Sequence, residues 1–173
     1  QEQVDVQNYF FKNMLIESSI PGFIDWSATS NTDEWERARG LEVFDYDSDG
    51  DLDMIVANVE STPYLFRNET IGTASADTDQ NWLQIKLKGT TTNQNAFGTE
   101  VKITINGQSL YRWHQGGAFY GQSIKPVHFG VGAAKTIDEI QVTWLSGMVE
   151  EYYNVSSNQL IEITEGGSLT NTK

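Results

Sequence analysis

The stretch Phe44-Asp45-Tyr46-Asp47-Ser48-Asp49-Gly50-Asp51-Leu52-Asp53 carries five aspartates at alternate positions. Carboxylates crowded in this way repel one another, and a cation among them allows the loop to stay compact. The first three stand at positions 1, 3 and 5 of a calcium-binding loop, and Gly50 at position 6 permits the sharp reversal that such a loop needs. The pattern therefore predicts a calcium site with these ligands: Asp45, Asp47, Asp49, Asp51 and Asp53.

The donor set and the residues that follow it narrow the type of site. Carboxylate and carbonyl oxygens suit calcium, whereas magnesium requires a stricter octahedron and zinc prefers His or Cys. An EF-hand would need a bidentate Glu at position 12, which is Val56 here, and the apolar run 54–57 has strand character. We therefore expect a calcium loop that leads into a strand, with an architectural ion; the alternative is a solvated acidic turn.

Composition excludes several partners. The 173 residues carry a net charge of −13 with no cluster of Lys or Arg, which argues against nucleic acid and anionic membrane surfaces. The chain has no cysteine, and no run of about 18 apolar residues predicts a membrane span. An acidic, calcium-using chain is typical of proteins that are secreted, extracellular or on the cell surface.

The first part of the chain contains an internal echo. Residues 8–13 and 63–68 both read Tyr, apolar, Phe, basic, Asn, at an offset of 55 residues, which is typical of β-repeats such as propeller blades. Because they contain this echo and the predicted strands on both sides of the acidic loop, residues 1–71 resemble an FG-GAP/VCBS repeat. The resemblance implies a partial propeller-blade-like unit, with neighbouring blades or subunits as partners, and residues 72–80 are expected to be a linker.

The second part alternates apolar and polar residues in short runs. Such runs cover residues 82–88 and 100–105, and Asn106-Gly107 is a strong hairpin signal. We therefore predict an all-β chain in which residues 81–166 form an antiparallel β-sandwich, followed by a polar tail over 167–173.

Several motifs of this second part resemble an ASPIC/UnbV domain. They comprise Asn95-Ala96-Phe97-Gly98, Gly117-x-x-Tyr120-Gly121-Gln122-Ser123, Val127-His128-Phe129-Gly130-Val131-Gly132, Ile140-x-Val142-x-Trp144-Leu145-Ser146-Gly147, Tyr153-Asn154-Val155 and Asn158-Gln159. Gly98-Thr99-Glu100 replaces the family's usual Gly-Ala-Arg, and Trp144-Leu145 replaces its Trp-Pro. The resemblance implies an extracellular module that follows FG-GAP/VCBS blades, and it brings no particular activity.

A stretch within the second part concentrates aromatic and hydrogen-bonding residues between glycines. Aromatic faces stack on sugar rings while amide and guanidinium groups bind hydroxyls, so this stretch predicts a ligand site. The alternative is that its aromatics fill the sandwich core. The candidate residues are Tyr111, Arg112, Trp113, His114, Tyr120 and Gln122.

Catalysis is not predicted. The chain has no Cys, and His114 and His128 lie in no carboxylate pattern that would form a zinc site or a triad. His128 is expected to be structural, and His114 is expected to be exposed at a strand end. The predicted function is a calcium-stabilised, non-catalytic binding or adhesion module whose partner is a glycan or an extracellular protein. Two alternatives remain: a carbohydrate-binding accessory domain of a secreted polysaccharide-degrading enzyme, and a structural subunit of a surface assembly.

Overall fold

The computed structural model describes residues 6–14, 21–70, 80–118 and 121–172. Within these residues the chain forms seventeen strands and one helix of four residues, which confirms the predicted all-β class. None of the described helical residues forms a span long and apolar enough to cross a bilayer. We refer to residues 6–70 as the first segment and to residues 80–172 as the second segment.

The first segment is built of short antiparallel strands. Strands β1 and β4 form one pair, β2 and β3 form another, and β5, β6 and β7 form a three-stranded meander. A propeller blade has four strands, so the predicted blade remains a prediction. The elements are β1 (Val6–Gln7), β2 (Phe11–Asn13), β3 (Phe23–Asp25), α1 (Ser27–Ser30), β4 (Trp35–Glu36), β5 (Ala38–Phe44), β6 (Asp53–Asn58) and β7 (Tyr64–Phe66).

The second segment contains two four-stranded sheets. The front sheet has the order β13-β8-β16-β17, the back sheet has the order β10-β9-β14-β15, and β11 pairs with β12. The strands are β8 (Asn81–Lys88), β9 (Glu100–Ile105), β10 (Gln108–Trp113), β11 (Gly117–Ala118), β12 (Gly121–Gln122), β13 (Val127–Gly132), β14 (Thr136–Thr143), β15 (Val149–Ser156), β16 (Gln159–Thr164) and β17 (Leu169–Thr172).

Both sheets contribute alternate apolar side chains to one core, as the predicted periodicity requires. The hairpin between β9 and β10 turns at Asn106 and Gly107, both with positive φ, as the sequence predicts. The buried apolar side chains are Leu83, Ile85, Leu87, Ala96, Val101, Ile103, Val127, Phe129, Val131, Ile137, Ile140, Val142, Trp144, Ile161 and Ile163. The two sheets therefore form a sandwich around a contiguous hydrophobic core.

The predicted antiparallel sandwich is wrong in one pairing. Strand β16 runs parallel to β8, with Ile161 opposite Ile85 and Ile163 opposite Leu87. A parallel pair needs a long connection, and the chain between these two strands supplies it by building the whole back sheet and β13. This pairing keeps the apolar residues of both strands on the core side.

The polar tail predicted over 167–173 contains a strand. Residues Leu169–Thr172 form β17, which pairs with β16 at the edge of the front sheet, and Leu169 packs on the core. Backbone hydrogen bonds of an edge strand do not require an apolar sequence, which explains why periodicity misses it. Residues 71–79, which include most of the predicted linker, lie outside the described residues, and the proposed domain division stays a prediction.

A buried carboxylate ties loops of the second segment together. Glu165 accepts hydrogen bonds from the backbone N–H of Thr90, Thr91 and Thr92 (2.9, 2.8 and 2.8 Å) and from the Ser146 hydroxyl (2.6 Å). Burial by itself raises the pKa of Glu165, but these hydrogen bonds to the charged form outweigh it and lower the pKa to about 2. Glu165 therefore holds two loops in its ionised state.

Candidate functional site

The acidic loop connects β5 to β6, where Phe44 and Asp53 are the last paired residues. Two of its residues have positive φ, Ser48 (63°) and Gly50 (101°). Gly50 meets this requirement at little cost because it has no Cβ. The loop thus makes the tight reversal that its sequence predicts.

Three of the five predicted ligands converge. Asp45, Asp47 and Asp49 each offer a carboxylate oxygen, and these oxygens lie within 4.8 Å of one another. The set consists only of hard oxygen donors, which fits calcium better than it fits zinc.

Backbone amides hold two of these carboxylates in place. The N–H groups of Asp49 and Gly50 donate to the two oxygens of Asp45 (3.2 and 3.0 Å), and the N–H of Asp51 donates to Asp49 (3.0 Å). A carboxylate oxygen has two lone pairs, so an oxygen that accepts an amide proton can also bind a cation. The loop backbone therefore fixes the positions of these two carboxylates, and the residues fit calcium.

The other two predicted ligands lie outside this three-carboxylate cluster. Asp53 is 1% exposed and accepts the backbone N–H of Tyr46 (2.9 Å) and of Asn68 (2.8 Å). It therefore ties the base of the loop to the second residue after β7. Asp51 is also buried, at 6% exposure.

The residues after β7 support the loop through contacts that the sequence did not predict. Arg67 Nε lies 2.8 Å from Asp47 Oδ2 and 3.2 Å from Glu69 Oε1, and these carboxylates, Glu69 first, raise the pKa of Arg67. The Asn68 side chain donates to the Leu52 carbonyl (3.3 Å). The basic-Asn pair of the internal echo is the sequence signal that identifies these two residues.

The loop also contacts the front sheet of the second segment. The Gln84 side-chain amide on β8 donates to Asp45 Oδ2 (2.7 Å), and His128 Nε2 on β13 lies 2.9 Å from the Gly50 carbonyl oxygen. Both residues lie on the face of the front sheet opposite the core, at paired positions. Lys125 contacts the Glu42 carboxylate and the Val43 carbonyl of β5. The predicted metal loop is thus a contact between the two segments.

Gly50 lies close to Trp82 in this contact. A Cβ added at Gly50 would lie 1.8 Å from the indole nitrogen of Trp82, whose ring stacks on His128 with 6.5 Å between centroids. Gly50 is therefore required both by its φ and by the neighbouring indole. His128 therefore has structural contacts, as its place in a strand pattern predicts.

The predicted ligand stretch is divided between the two faces of the back sheet. Tyr111 and Trp113 are exposed (46% and 57%), so the alternative that they fill the core is wrong. Arg112 points the other way, with its guanidinium carbon 5.5 Å from the Phe129 ring centroid. Successive strand residues face opposite sides, so Arg112 is separated from the two aromatics.

The expectation that His114 is exposed is wrong. His114 is 6% exposed and packs against Phe97 with ring centroids 5.3 Å apart, and its backbone N–H donates to the Thr99 carbonyl (2.8 Å). Burial lowers the pKa of His114, which favours the neutral imidazole. The chain continues the strand alternation one residue past β10, which turns this side chain inward.

The remaining two predicted ligand residues lie apart from this strand. Gln122 is in β12, opposite Gly117 of β11. Tyr120 lies outside the described residues. A cleft of about 700 Å³ runs between the segments, and its lining includes Asp45, Gln84, Trp113 and Lys125. The acidic loop and the end of β10 therefore lie on the same side of the molecule.

Comparisons with known proteins find similarity in the second segment and over most of the chain. A family model described as ASPIC and UnbV matches residues 89–170. Cartilage acidic protein 1 of Homo sapiens is 29% identical over 134 residues, which cover 75% of this chain and 19% of that protein. The chain therefore spans about a fifth of the length of the curated relative that it matches.

Proposed function

We propose that this chain is a calcium-stabilised, non-catalytic extracellular binding module, in which the ion fixes the acidic loop against the front sheet. The observation that carries the proposal is the convergence of Asp45, Asp47 and Asp49 in a loop whose first carboxylate also accepts the Gln84 amide. These three carboxylates would hold the ion, and the loop pattern adds Asp51 and Asp53 as further candidates. Calcium would neutralise the mutual repulsion of the cluster and stabilise the folded chain by mass action.

The chemistry of such a site supports the proposed extracellular setting. Calcium loops of extracellular modules bind at about 0.1–1 mM, a concentration of free calcium that is typical outside cells. The chain's charge of −13 and the similarity of residues 89–170 to the ASPIC and UnbV model agree with a secreted or cell-surface location. A non-catalytic role agrees with the two histidines, since His114 is buried in packing and His128 contacts the Gly50 backbone.

Thermal unfolding tests the calcium proposal. We would compare the chain in calcium, in magnesium and in EDTA with the variants Asp47→Ala and Asp49→Ala. Calcium at a hundred times its Kd is expected to stabilise the native state by about 2.7 kcal/mol, and both variants are expected to lose this gain. Glu69→Ala is the matched control because it removes a carboxylate beside the loop but outside the three-carboxylate cluster, and it should keep the gain. An unfolding midpoint that is the same in calcium and in EDTA would overturn the proposal.

A second candidate is a structural role in a surface assembly, with neighbouring β-propeller blades or subunits as partners. It is favoured by the large apolar side chains that the first segment exposes, since contiguous exposed apolar surface marks protein contacts. The sedimentation mass of the chain across concentrations tests this candidate, and a monomer at all concentrations argues against self-assembly. The most exposed of these side chains are Tyr9 (58%), Phe11 (57%), Phe23 (69%) and Trp35 (63%).

A carbohydrate is the ligand class that the back sheet favours. Tyr111 and Trp113 present their side chains to solvent from one strand, next to polar side chains of β9. This agrees with the alternative that the module is a carbohydrate-binding accessory to a secreted polysaccharide-degrading enzyme.

A further inference from the structure

The face of the back sheet opposite the core carries a third exposed aromatic residue, Tyr153 (58%), far from Tyr111 in sequence. The strand registers place Tyr153 on the same face as Tyr111. Tyr111 pairs with Lys102, and Lys102 pairs with Gln141. Tyr153 pairs with Glu139, which is two residues from Gln141 on β14 and therefore faces the same side. We call this surface the aromatic face.

The spacing of the aromatic residues follows from sheet geometry. Tyr111 and Trp113 are two residues apart on β10, or about 7 Å along the strand. Tyr153 is on β15, three strand intervals from β10, which is about 14 Å across the sheet. The three side chains therefore span an extended platform instead of closing around a small pocket.

Polar side chains between these aromatics are held in fixed positions. Glu151 accepts hydrogen bonds from Gln141 Nε2 (3.2 Å) and from the Tyr153 hydroxyl. Glu139 accepts the Thr104 hydroxyl (3.3 Å) and lies 3.9 Å from Lys102 Nζ. The carboxylates and amide retain free lone pairs and N–H groups, which can bind hydroxyls without reorganising.

The charge of the aromatic face limits the ligand. Three carboxylates, Glu100, Glu139 and Glu151, face the same side as one ammonium group, Lys102. A sulfated or otherwise anionic chain would meet like charge on this face. A protein partner would need a core of contiguous apolar contact with few charges, but here the aromatics alternate with charged positions.

We propose that the aromatic face binds a neutral polysaccharide chain, whose sugar rings stack on Trp113, Tyr111 and Tyr153 while its hydroxyls bind Gln141, Glu139 and Glu151. Sugar rings combine an apolar C–H face with a rim of hydroxyls, which matches rings separated by hydrogen-bonding groups. The inference rests on the binding role proposed above but not on the calcium site, which lies against the other sheet.

Affinity electrophoresis tests this inference with neutral probes, namely xylan, mannan and mixed-linkage β-glucan, and with heparin as the anionic probe. We expect retardation by at least one neutral probe and none by heparin. Trp113→Ala and Tyr111→Ala should each weaken binding about tenfold or more, as expected when a central aromatic contact is removed.

Trp35→Ala is the matched control, because Trp35 is 63% exposed but belongs to the first segment, and its binding should equal that of the unmodified chain. The thermal unfolding midpoint of each variant is also measured with and without calcium. An unchanged calcium response with lost retardation supports the inference and shows that the variant is folded. Absence of binding to all three neutral probes, preference for heparin, or full binding by Trp113→Ala would overturn the inference and leave the calcium proposal standing.

Discussion

The two segments are stabilised by different means. All the buried apolar side chains among the described residues belong to the second segment, between Leu83 and Ile163. The buried side chains described in the first segment are polar: Ser27, Thr32, Asp51 and Asp53. Burial of apolar surface is the dominant favourable term in folding, so the first segment depends on hydrogen bonds, on its contact with the front sheet and on the proposed cation.

Truncation of one core side chain should have the largest effect. Phe129 is fully buried between the sheets, and Phe129→Ala removes its transfer free energy and leaves a cavity. We expect a loss of about 3–5 kcal/mol in the free energy of unfolding, measured by urea titration. The matched change in the first segment, Leu65→Ala at 48% exposure, should cost no more than about 0.5 kcal/mol. Similar losses in both variants would mean that the first segment also has an apolar core.

A smaller effect is expected where the segments meet. Gln84→Leu removes the amide that donates to Asp45 Oδ2, and residues that orient metal ligands typically contribute about 10- to 100-fold to metal affinity. We expect calcium affinity, measured by isothermal titration calorimetry, to fall at least tenfold. Gln141→Leu makes the same substitution on the back sheet and should bind calcium normally. Unchanged affinity in Gln84→Leu would show that the loop does not depend on the second segment.

A pH-dependent effect is expected in the second segment, away from the contact with the acidic loop. The pKa of Glu165 is lowered to about 2, whereas an unfolded Glu titrates near 4.3. Because the folded state favours the charged form, this group adds stability above pH 4.3, and the contribution is lost as the pH falls from about 4.3 towards 2. Glu165→Gln should be less stable than the unmodified chain at pH 6, and the difference should narrow towards pH 2. A difference that stays constant over this range would contradict the hydrogen-bonded carboxylate.

Sequence reasoning predicts those features that local patterns determine. Alternating residues and Asn106-Gly107 predict the strands and hairpin of the sandwich, and the Asp-x-Asp-x-Asp-Gly pattern predicts a loop in which three carboxylates converge. These features depend on residues that are close to one another in sequence, so the local sequence contains enough information to predict them.

Features that depend on distant residues could not be predicted in this way. Nothing local to Gln159–Thr164 indicates that it pairs parallel to β8, and no pattern in Gln84 or His128 indicates contact with a loop about 40 or more residues earlier. The inward turn of His114 depends on a strand alternation that continues past the end of β10. Long-range packing determines each of these results.

Hydrogen exchange with and without calcium reports on the acidic loop and on the sandwich in one sample. Calcium should slow exchange of the backbone amides of Tyr46, Asp49, Gly50 and Asp51, and should leave the amides of β14 in the sandwich unchanged. Equal protection of the loop amides in calcium and in EDTA, or an equal change in both segments, would contradict a cation that fixes the acidic loop against the front sheet.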